Sequence, residues 1–215
     1  MEVLVGSGIF RIVALVIGYL LGNVQSAYLF GKLFRSTDIR EHGSGNSGTS
    51  NTIRTFGFSV GVLVFVVDVL KAVAAFMLCM YFFGGSYFGG ENGILPGMYA
   101  GLGVVLGHNF PFFMGFKGGK GVASSIGVML CFGWSVIVIQ AAVGLSLLFA
   151  TRMISVASLA LVFAFPILLQ VFGLGAEAVL VSAFMTVLAW YMHRGNIRRI
   201  AEGSERKLSL RKSKA

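Results

Sequence analysis

The sequence predicts an all-α integral membrane protein of about seven transmembrane helices, some of them short. Hydrophobic residues make up 56% of its 215 residues and charged residues 12%, whereas about a quarter of the residues of a soluble domain are charged. The mean hydropathy is +0.86. A helix needs roughly 20 apolar residues to span a bilayer, and backbone groups in lipid must be satisfied within their segment. The runs that approach or exceed this length are residues 8–34, 56–83, 94–113, 122–150, 153–172 and 177–192.

The first run, residues 8–34, is expected to be retained as a span. The segment Met1–Ser7 before it carries Glu2 and lacks the basic region with which a signal peptide begins. Arg11 lies inside this run, and we expect its guanidinium to reach outward along the helix to the interface.

The fourth run, residues 122–150, is long for one span, and its pattern breaks near Gly133. If it crosses once, the basic residues of the chain are divided between the two sides of the membrane. If it crosses twice, nearly all of them share one side, and Glu2, Glu91 and Glu177 remain on the other. The positive-inside rule favours two crossings. We therefore predict an outside N-terminus and a cytoplasmic C-terminus.

The chain is expected to form a single polytopic domain over residues 1–207, followed by a basic, disordered cytoplasmic tail over residues 208–215 that contacts anionic lipid. Its 30 glycines recur at the small-xxx-small spacing of closely packed membrane helices. Cys79 and Cys131 lie in apolar runs and are expected to act as small hydrophobic residues.

A glycine-rich polar cluster, "DIREHGSGNSGTSNTIR", covers residues 38–54. Glycine allows positive φ angles, and successive N–H groups in such turns bind anions. A mobile, solvated loop is the alternative interpretation. The candidate ligands are the glycines Gly43, Gly45 and Gly48, the donors Ser44, Asn46, Thr49, Ser50 and Asn51, and the cations Arg40 and Arg54.

A second cluster, "GHNFPFFMGFKGGKGVASS", places Lys117 and Lys120 on either side of Gly118 and Gly119. A helix is expected from about Gly121, so two ammonium groups and free backbone N–H groups would lie at the positive end of a helix dipole, which suits phosphate. The glycine and lysine spacing is not that of a Walker A loop. The alternative is that both lysines only anchor the cytoplasmic side.

The third cluster joins "RMISVAS" to "HRGNIRRIAEGSERK". Ser155 and Ser158 are three residues apart, on nearly the same side of a helix. His193 ends the last run, and Asn196 follows three residues later. The alternatives are serines that bond their own backbone and a histidine that caps its helix.

Two further charges, Asp68 and Lys71, lie within the second run. An ionisable residue inside a membrane helix indicates function by default. A mutual ion pair that lines a polar cavity is the preferred interpretation.

Together the clusters offer many phosphate donors on one face and few candidate bases. Two phosphorylated reactants repel each other, so bringing them into contact requires several fixed cations. The HxxxxD acyltransferase signature fails at every histidine, and neither H-E-x-x-H nor a cluster of metal-ligating carboxylates occurs. The residues therefore indicate phosphate ester or anhydride chemistry beside lipid, without a metal.

In this order, the three clusters resemble the bacterial acyl-phosphate:glycerol-3-phosphate acyltransferases, the PlsY family. The resemblance implies transfer of a fatty acyl group from acyl phosphate to the C1 hydroxyl of sn-glycerol 3-phosphate. The products would be lysophosphatidic acid and inorganic phosphate, in the first step of phospholipid synthesis. It implies no cofactor, no nucleic acid and a site facing the cytoplasm in the bacterial plasma membrane. The implied partners are membrane lipids and the soluble enzyme that makes acyl phosphate.

The resemblance also implies roles for particular residues. It makes phosphate or glycerol 3-phosphate ligands of Ser44, Arg54, Lys120, Ser158, His193 and Asn196, and supports Asn46, Asn51 and Lys117 less directly. Gly43, Gly45, Gly118, Gly119 and Ser155 complete the predicted binding site. The expected catalytic residues are Lys120, Ser158, His193 and Asn196.

The alternative from another functional class is an organic phosphate or anion transporter. Such proteins usually show repeated halves with a site near the midplane of the membrane. The sequence shows no such repeat, and its anion-binding groups gather on one face.

Overall fold

A computed structural model describes residues 8–84 and 93–208, and within these ranges all of its regular secondary structure is helical. The predicted tail, apart from Leu208, and the acidic residues Glu2 and Glu91 lie outside the described residues. The α-helices are α1 (Ile9–Gly22), α2 (Ser26–Arg35), α3 (Thr49–Phe56), α4 (Phe58–Phe83), α5 (Leu95–Asn109), α6 (Val122–Leu130), α7 (Trp134–Thr151), α8 (Ile154–Val171), α9 (Ala176–Met192) and α10 (Arg194–Ala201).

Four segments of the described chain are long and apolar enough to cross a membrane, and a bent pair of helices could add a fifth. The predicted count of seven includes α5 and α6, which have 15 and 9 residues and are shorter than a full span. The four segments are Ile9–Arg35, Phe58–Phe83, Trp134–Thr151 and Ile154–Val171, and the bent pair is α9 with α10, at 62°.

The predicted break in residues 122–150 is confirmed. Helix α6 ends at Leu130 and α7 begins at Trp134. Gly133 between them has a φ of 88°, a value that side chains disfavour and glycine accepts.

The first apolar run, predicted as one uninterrupted stretch, is also broken. Residues 23–25 separate α1 from α2, and the Asn23 side chain donates to the Tyr19 carbonyl, with 2.6 Å between Nδ2 and O. The break leaves the Val24 carbonyl free of helical bonding, and it accepts a hydrogen bond from Lys71 instead, at 2.7 Å.

The glycine-rich cluster of residues 38–54, predicted as a turn that binds anions, is not a loop throughout, since residues 49–56 form α3. Gly48 precedes the helix, and the Thr52 hydroxyl donates to its carbonyl at 3.1 Å. Ile53 packs so closely on α4 that a Cβ at Gly61 would lie 2.2 Å from its Cγ1. This contact holds the amphipathic α3 against the membrane helices.

The small-residue packing predicted for the membrane helices is confirmed between α1 and α5. A Cβ at Gly18 would lie 1.9 Å from the Ala100 carbonyl oxygen, and one at Gly103 would lie 2.2 Å from the Leu15 oxygen. Such backbone contact is possible only where side chains are absent. Helix α5 is therefore held at the centre of the bundle.

Arg11 does not simply reach outward from α1. Its guanidinium forms a two-bond ion pair with Glu177 at the start of α9, at 2.5 and 2.8 Å, and Tyr99 also donates to this carboxylate at 2.8 Å. Three helices are thereby joined at this end of the bundle.

Candidate active site

A cavity of about 810 Å³ is lined in part by residues of all three polar clusters. We call this part the polar limb; its residues include Gly43, Ser44, Arg54, Lys120, Ser155, His193, Asn196, Arg199, Glu205 and Arg206. The cavity continues between α6, α7 and α8 as an apolar limb, lined by Ile126, Met129, Leu130, Ile137, Ala141, Leu145, Leu148 and Leu161.

Most of the predicted site residues line this cavity, although they are far apart in the sequence. Those on its wall are Gly43, Ser44, Asn46, Asn51, Arg54, Lys120, Ser155, Ser158, His193 and Asn196. Those outside the wall are Gly45, Lys117, Gly118 and Gly119.

The polar limb carries more positive than negative charge. Four of its side chains are cationic, namely Arg54, Lys120, Arg199 and Arg206, and Glu205 is the carboxylate among them. Charges that are partly shielded from water interact several times more strongly than charges in bulk water. This limb can therefore hold a ligand with more than one negative charge.

Lys120 is connected to the third cluster through Asn196. Its ammonium donates to the Asn196 Oδ1, and the Asn196 Nδ2 donates to the Glu205 carboxylate at 2.7 Å. Burial, followed by repulsion from Arg199 and Arg54, lowers the pKa of Lys120 to about 8. The lysine is therefore poised to gain from a bound anion.

Glu205 organises this side of the polar limb, although no motif in the sequence marks it as a site residue. Its carboxylate accepts from Ser155 at 2.9 Å, from Asn196 at 2.7 Å and from Arg199 at 2.8 Å. Burial alone would raise the pKa of Glu205, but these hydrogen bonds outweigh it, and the pKa is lowered. The bond from Leu208 N to the Arg152 carbonyl, at 2.6 Å, holds the same segment against the start of α8.

Asn51 holds the glycine turn together from within. Its Oδ1 accepts from the Ser44 backbone N–H at 2.7 Å, and its Nδ2 donates to the carbonyls of Ile39 and His42 at 3.2 and 2.9 Å. The Gly45 N–H donates to the His42 carbonyl at 3.0 Å. Two amides that were predicted to bind an anion are thus engaged inside the loop.

The loop that carries Lys117 and Lys120, which we call the lysine loop, also differs from its prediction. Gly118 and Gly119, which were predicted to belong to the binding site, lie outside the cavity wall, and their N–H groups donate to the carbonyls of Asn109 and His108 at 3.0 and 2.9 Å. Lys117 is exposed, outside the cavity. The predicted helix start is confirmed, since Gly121 caps α6 and both residues of the Gly121–Val122 step line the cavity.

His193 caps α9, as its alternative interpretation held, and also lines the cavity. Its Nδ1 lies 2.7 Å from the Ala189 carbonyl oxygen. A carbonyl only accepts, so Nδ1 carries a hydrogen and Nε2 is left as the basic nitrogen of the ring.

The predicted ion pair in the second run is confirmed. Lys71 Nζ lies 2.7 Å from Asp68 Oδ1, and Asp68 is on the cavity wall with His108. In the part of the chain that the structure describes, no three His, Cys, Asp or Glu side chains converge to hold a metal ion.

A membrane-spanning helical bundle and a cavity with a cationic end and an apolar end define the class of protein, an integral membrane protein with a site for an anionic amphiphile. The family model described as glycerol-3-phosphate acyltransferase matches residues 12–203. The chain belongs to this family and is an acyltransferase.

Curated relatives and solved structures agree with this assignment. The chain is 41% identical to the glycerol-3-phosphate acyltransferase of a Bradyrhizobium species over 96% of this chain and 100% of the relative. It is 40% identical to that of Lactiplantibacillus plantarum over 90% of each chain.

Two crystal structures of PlsY, an integral membrane glycerol 3-phosphate acyltransferase, resemble this protein. The glycerol 3-phosphate form has a TM-score of 0.82 at 34% identity, covering 93% of this chain and 96% of that one. The lysophosphatidic acid form has a TM-score of 0.80 at 32% identity, covering 93% and 95%.

Proposed function

We propose that the protein transfers a fatty acyl group from acyl phosphate to the C1 hydroxyl of sn-glycerol 3-phosphate. The products are lysophosphatidic acid and inorganic phosphate, and the reaction is the first step of phospholipid synthesis. The crystallised PlsY forms with glycerol 3-phosphate and lysophosphatidic acid support the acceptor and the product of this scheme.

The observation that carries the proposal is the junction of the two limbs in one cavity. The cationic side chains around Lys120 and the apolar side chains of α7, such as Leu148, line the same cavity. An acyl phosphate is a molecule of this kind, with a dianionic head and a hydrocarbon chain. We assign its phosphate head to the polar limb and its hydrocarbon tail to the apolar limb. The hydrocarbon tail enters the apolar limb from the membrane.

The phosphates of both reactants are proposed to lie among the cations of the polar limb. Arg54 supplies a planar fork of donors that matches a phosphate, and Lys120 supplies a point charge at the start of α6. Ser44, Asn46 and Ser158 supply hydrogen-bond donors, and Asn196 holds Lys120 in place. Ser155 is assigned to binding through Glu205, whose carboxylate it contacts.

The chemistry needs little beyond this arrangement. The C1 oxygen forms a bond to the acyl carbon, the bond from that carbon to the phosphate oxygen breaks, and the hydroxyl proton leaves with the departing phosphate. Placing the hydroxyl within about 3 Å of the acyl carbon supplies much of the rate enhancement. Fixed cations stabilise the oxyanion and the leaving phosphate.

We assign proton removal to a phosphate oxygen of a substrate, because the polar limb holds few carboxylates. His193 is the competing base, through its Nε2. For His193→Ala we predict a kcat about tenfold lower, whereas an essential base would cost about 10²- to 10⁴-fold. A loss in the larger range, with normal folding by size-exclusion chromatography, would make His193 the base.

The site is proposed to face the cytoplasm of the bacterial plasma membrane, with seven crossings and an outside N-terminus. Arg54, Lys120 and Arg199 meet at the polar limb, whereas the Arg11 and Glu177 pair joins helix ends in another part of the bundle. Cysteine labelling of intact cells at Gly175, between α8 and α9, and at Gly203, after α10, tests this orientation. We expect only the first to react with an impermeant maleimide.

The central experiment is an assay of purified protein in detergent with palmitoyl phosphate. We expect release of inorganic phosphate and formation of lysophosphatidic acid only when glycerol 3-phosphate is added. An anion transporter would be silent in detergent and would move phosphate across sealed vesicles. That result would reverse the proposal. The soluble enzyme that makes acyl phosphate is the proposed supplier of the donor.

A further inference from the structure

A buried polar cluster beneath the lysine loop is not used by the chemistry described above. Its centre is the Lys71 ammonium, which lies 2.7 Å from Asp68 Oδ1, 2.7 Å from the Val24 carbonyl oxygen and 3.0 Å from His108 Nδ1. An ammonium has three N–H donors and no acceptor. All three hydrogens are therefore donated within the protein.

This arrangement determines the state of His108. Because Lys71 donates to Nδ1, the neutral imidazole must carry its own hydrogen on Nε2. The Asp68 carboxylate is 3.7 Å from Nδ1, too far for a hydrogen bond, so it acts by fixing Lys71. Ser26 helps to hold this carboxylate, with its hydroxyl 2.9 Å from Oδ1.

The protonated edge of His108 lies directly under the lysine loop. A Cβ at Gly119 would be 2.0 Å from His108 Nε2, so the imidazole fills the space in which any other side chain would lie. The backbone of the same residue accepts the Gly119 N–H at 2.9 Å. The next residue of the loop is Lys120, whose ammonium binds Asn196.

We propose that His108 is a positioning residue for acyl transfer: the Asp68–Lys71 pair fixes its ring, and the ring supports Gly119 so that Lys120 lies where the substrate phosphate binds. The proposal rests on the phosphate-binding role of Lys120. A purely structural cluster would affect folding without affecting the apparent affinity for glycerol 3-phosphate.

The first test combines His108→Ala and Gly119→Ala in the detergent assay. Because misplacement of a loop by 1 Å can cost up to about 10²-fold, we expect each single variant to raise the KM for glycerol 3-phosphate at least about tenfold, with a smaller change in kcat. In the His108→Ala background the added Cβ has space, so Gly119→Ala should add little. Additive effects, or an unchanged KM, would overturn the proposal.

Two further variants provide the matched comparison. His108→Gln can still place an N–H group under the loop, and we expect it to recover most of the affinity. His42 is exposed, and its ring contacts Thr37 outside the cavity, so His42→Ala should leave the KM unchanged. Equal effects at the two histidines would contradict the assignment.

A spectroscopic test does not depend on activity or on the variants' folding. The chain has three histidines, so ¹⁵N-histidine labelling of the wild-type protein gives three rings to assign. We expect His108 to show a protonated Nε2 and an unprotonated Nδ1. The opposite tautomer would end the proposal, whereas a wild-type protein without acyltransferase activity would refute the proposed function and leave this measurement intact.

Discussion

Two lysines of this protein, Lys71, which is buried, and Lys120, which is half-buried, have opposite environments. Lys71 is 8% exposed, and its three hydrogens go to a carboxylate, a carbonyl and an imidazole. Lys120 donates to the neutral amide of Asn196 and lies among arginines that repel it. The charge of Lys71 is neutralised by the fold, whereas the charge of Lys120 is available to a ligand.

The surroundings of a charge, more than its burial, therefore distinguish structural from functional cations. A paired charge makes its contribution to folding before any substrate arrives. A cation that lies among other cations lowers the stability of the free protein. A bound anion relieves this repulsion, so the protein binds the anion more tightly. A variant at Lys71 should therefore lower the free energy of unfolding, whereas a variant at Lys120 should lower kcat/KM.

The largest effect is expected for Lys71→Met, which leaves Asp68 buried and uncompensated. Loss of one partner of a buried pair typically costs about 3–5 kcal/mol. We expect this loss in the free energy of unfolding, measured by denaturant titration in mixed micelles.

The double variant Asp68→Leu with Lys71→Met sharpens this prediction. Removing both partners of a buried pair is often nearly neutral, so stability should largely return. The KM for glycerol 3-phosphate should stay raised, because His108 has lost the donor that fixes it. A double variant as unstable as Lys71→Met would show that the pair is not the source of the stability.

For Lys120→Met we expect the reverse pattern. Loss of a preorganised charge at the reacting group should lower kcat/KM by about 10²- to 10³-fold, while the free energy of unfolding should not fall, because this charge lies among other cations. Lys117→Met is the matched control, since Lys117 belongs to the same loop but is exposed outside the cavity, and its kcat/KM should remain within about twofold of wild type. Equal losses at both lysines would mean that the loop acts only through its total charge.

The pH dependence of kcat/KM also distinguishes Lys120 from Lys71. The pKa of Lys120 is lowered to about 8, so its ammonium is present below this pH and is lost as the pH rises through it. We expect kcat/KM, which reports the free enzyme, to fall about tenfold per pH unit above about pH 8. Because a bound phosphate favours the ammonium, kcat should persist to higher pH.

The control for the pH profile is Lys120→Arg. A guanidinium stays charged throughout this range, so any activity that this variant retains should not fall near pH 8. A fall at the same pH in the variant would assign the titration to another group.

Local signals in the sequence were sufficient for much of this fold. The helix break at Gly133, the helix start after Gly121 and the pairing of Asp68 with Lys71 each depend on residues at most a few positions apart. The glycine contacts between α1 and α5 also follow from a repeated local spacing. The sequence thus predicted the apolar helices and their packing through small residues, but not α3 or the break between α1 and α2.

The remaining features depend on partners far along the chain. Glu205 lies in a polar segment like many others, and its role is visible only because Ser155, Asn196 and Arg199 meet around it. Similarly, Gly118 and Gly119 have the composition of an anion-binding loop, but their N–H groups bond to the end of α5. No local sequence pattern shows whether a backbone N–H group already donates to another part of the fold.

The smallest effect is expected in the apolar limb, at Gln140. This side chain is 4% exposed on the cavity wall, and neither of its amide atoms has a partner among the described residues. Such a buried group costs about 1–3 kcal/mol, and it is buried with and without a ligand. We therefore expect Gln140→Leu to raise kcat/KM for palmitoyl phosphate by only about two- to fivefold.

Chain length determines which donors should respond to Gln140→Leu. Leu148 lies near the end of α7, where its carbonyl accepts from the Arg152 N–H and the Arg152 carbonyl accepts from Leu208, in the segment that follows Glu205. The rise along α7 from Leu148 back to Gln140 is about 12 Å, the length of roughly ten methylene groups. An octanoyl chain should not reach Gln140, so octanoyl phosphate should show no gain. Ser146→Leu is the control on the same helix, since Ser146 is exposed and does not line the cavity. Equal gains for both donors would place the acyl chain elsewhere, because an amide can penalise only the methylene groups that it contacts.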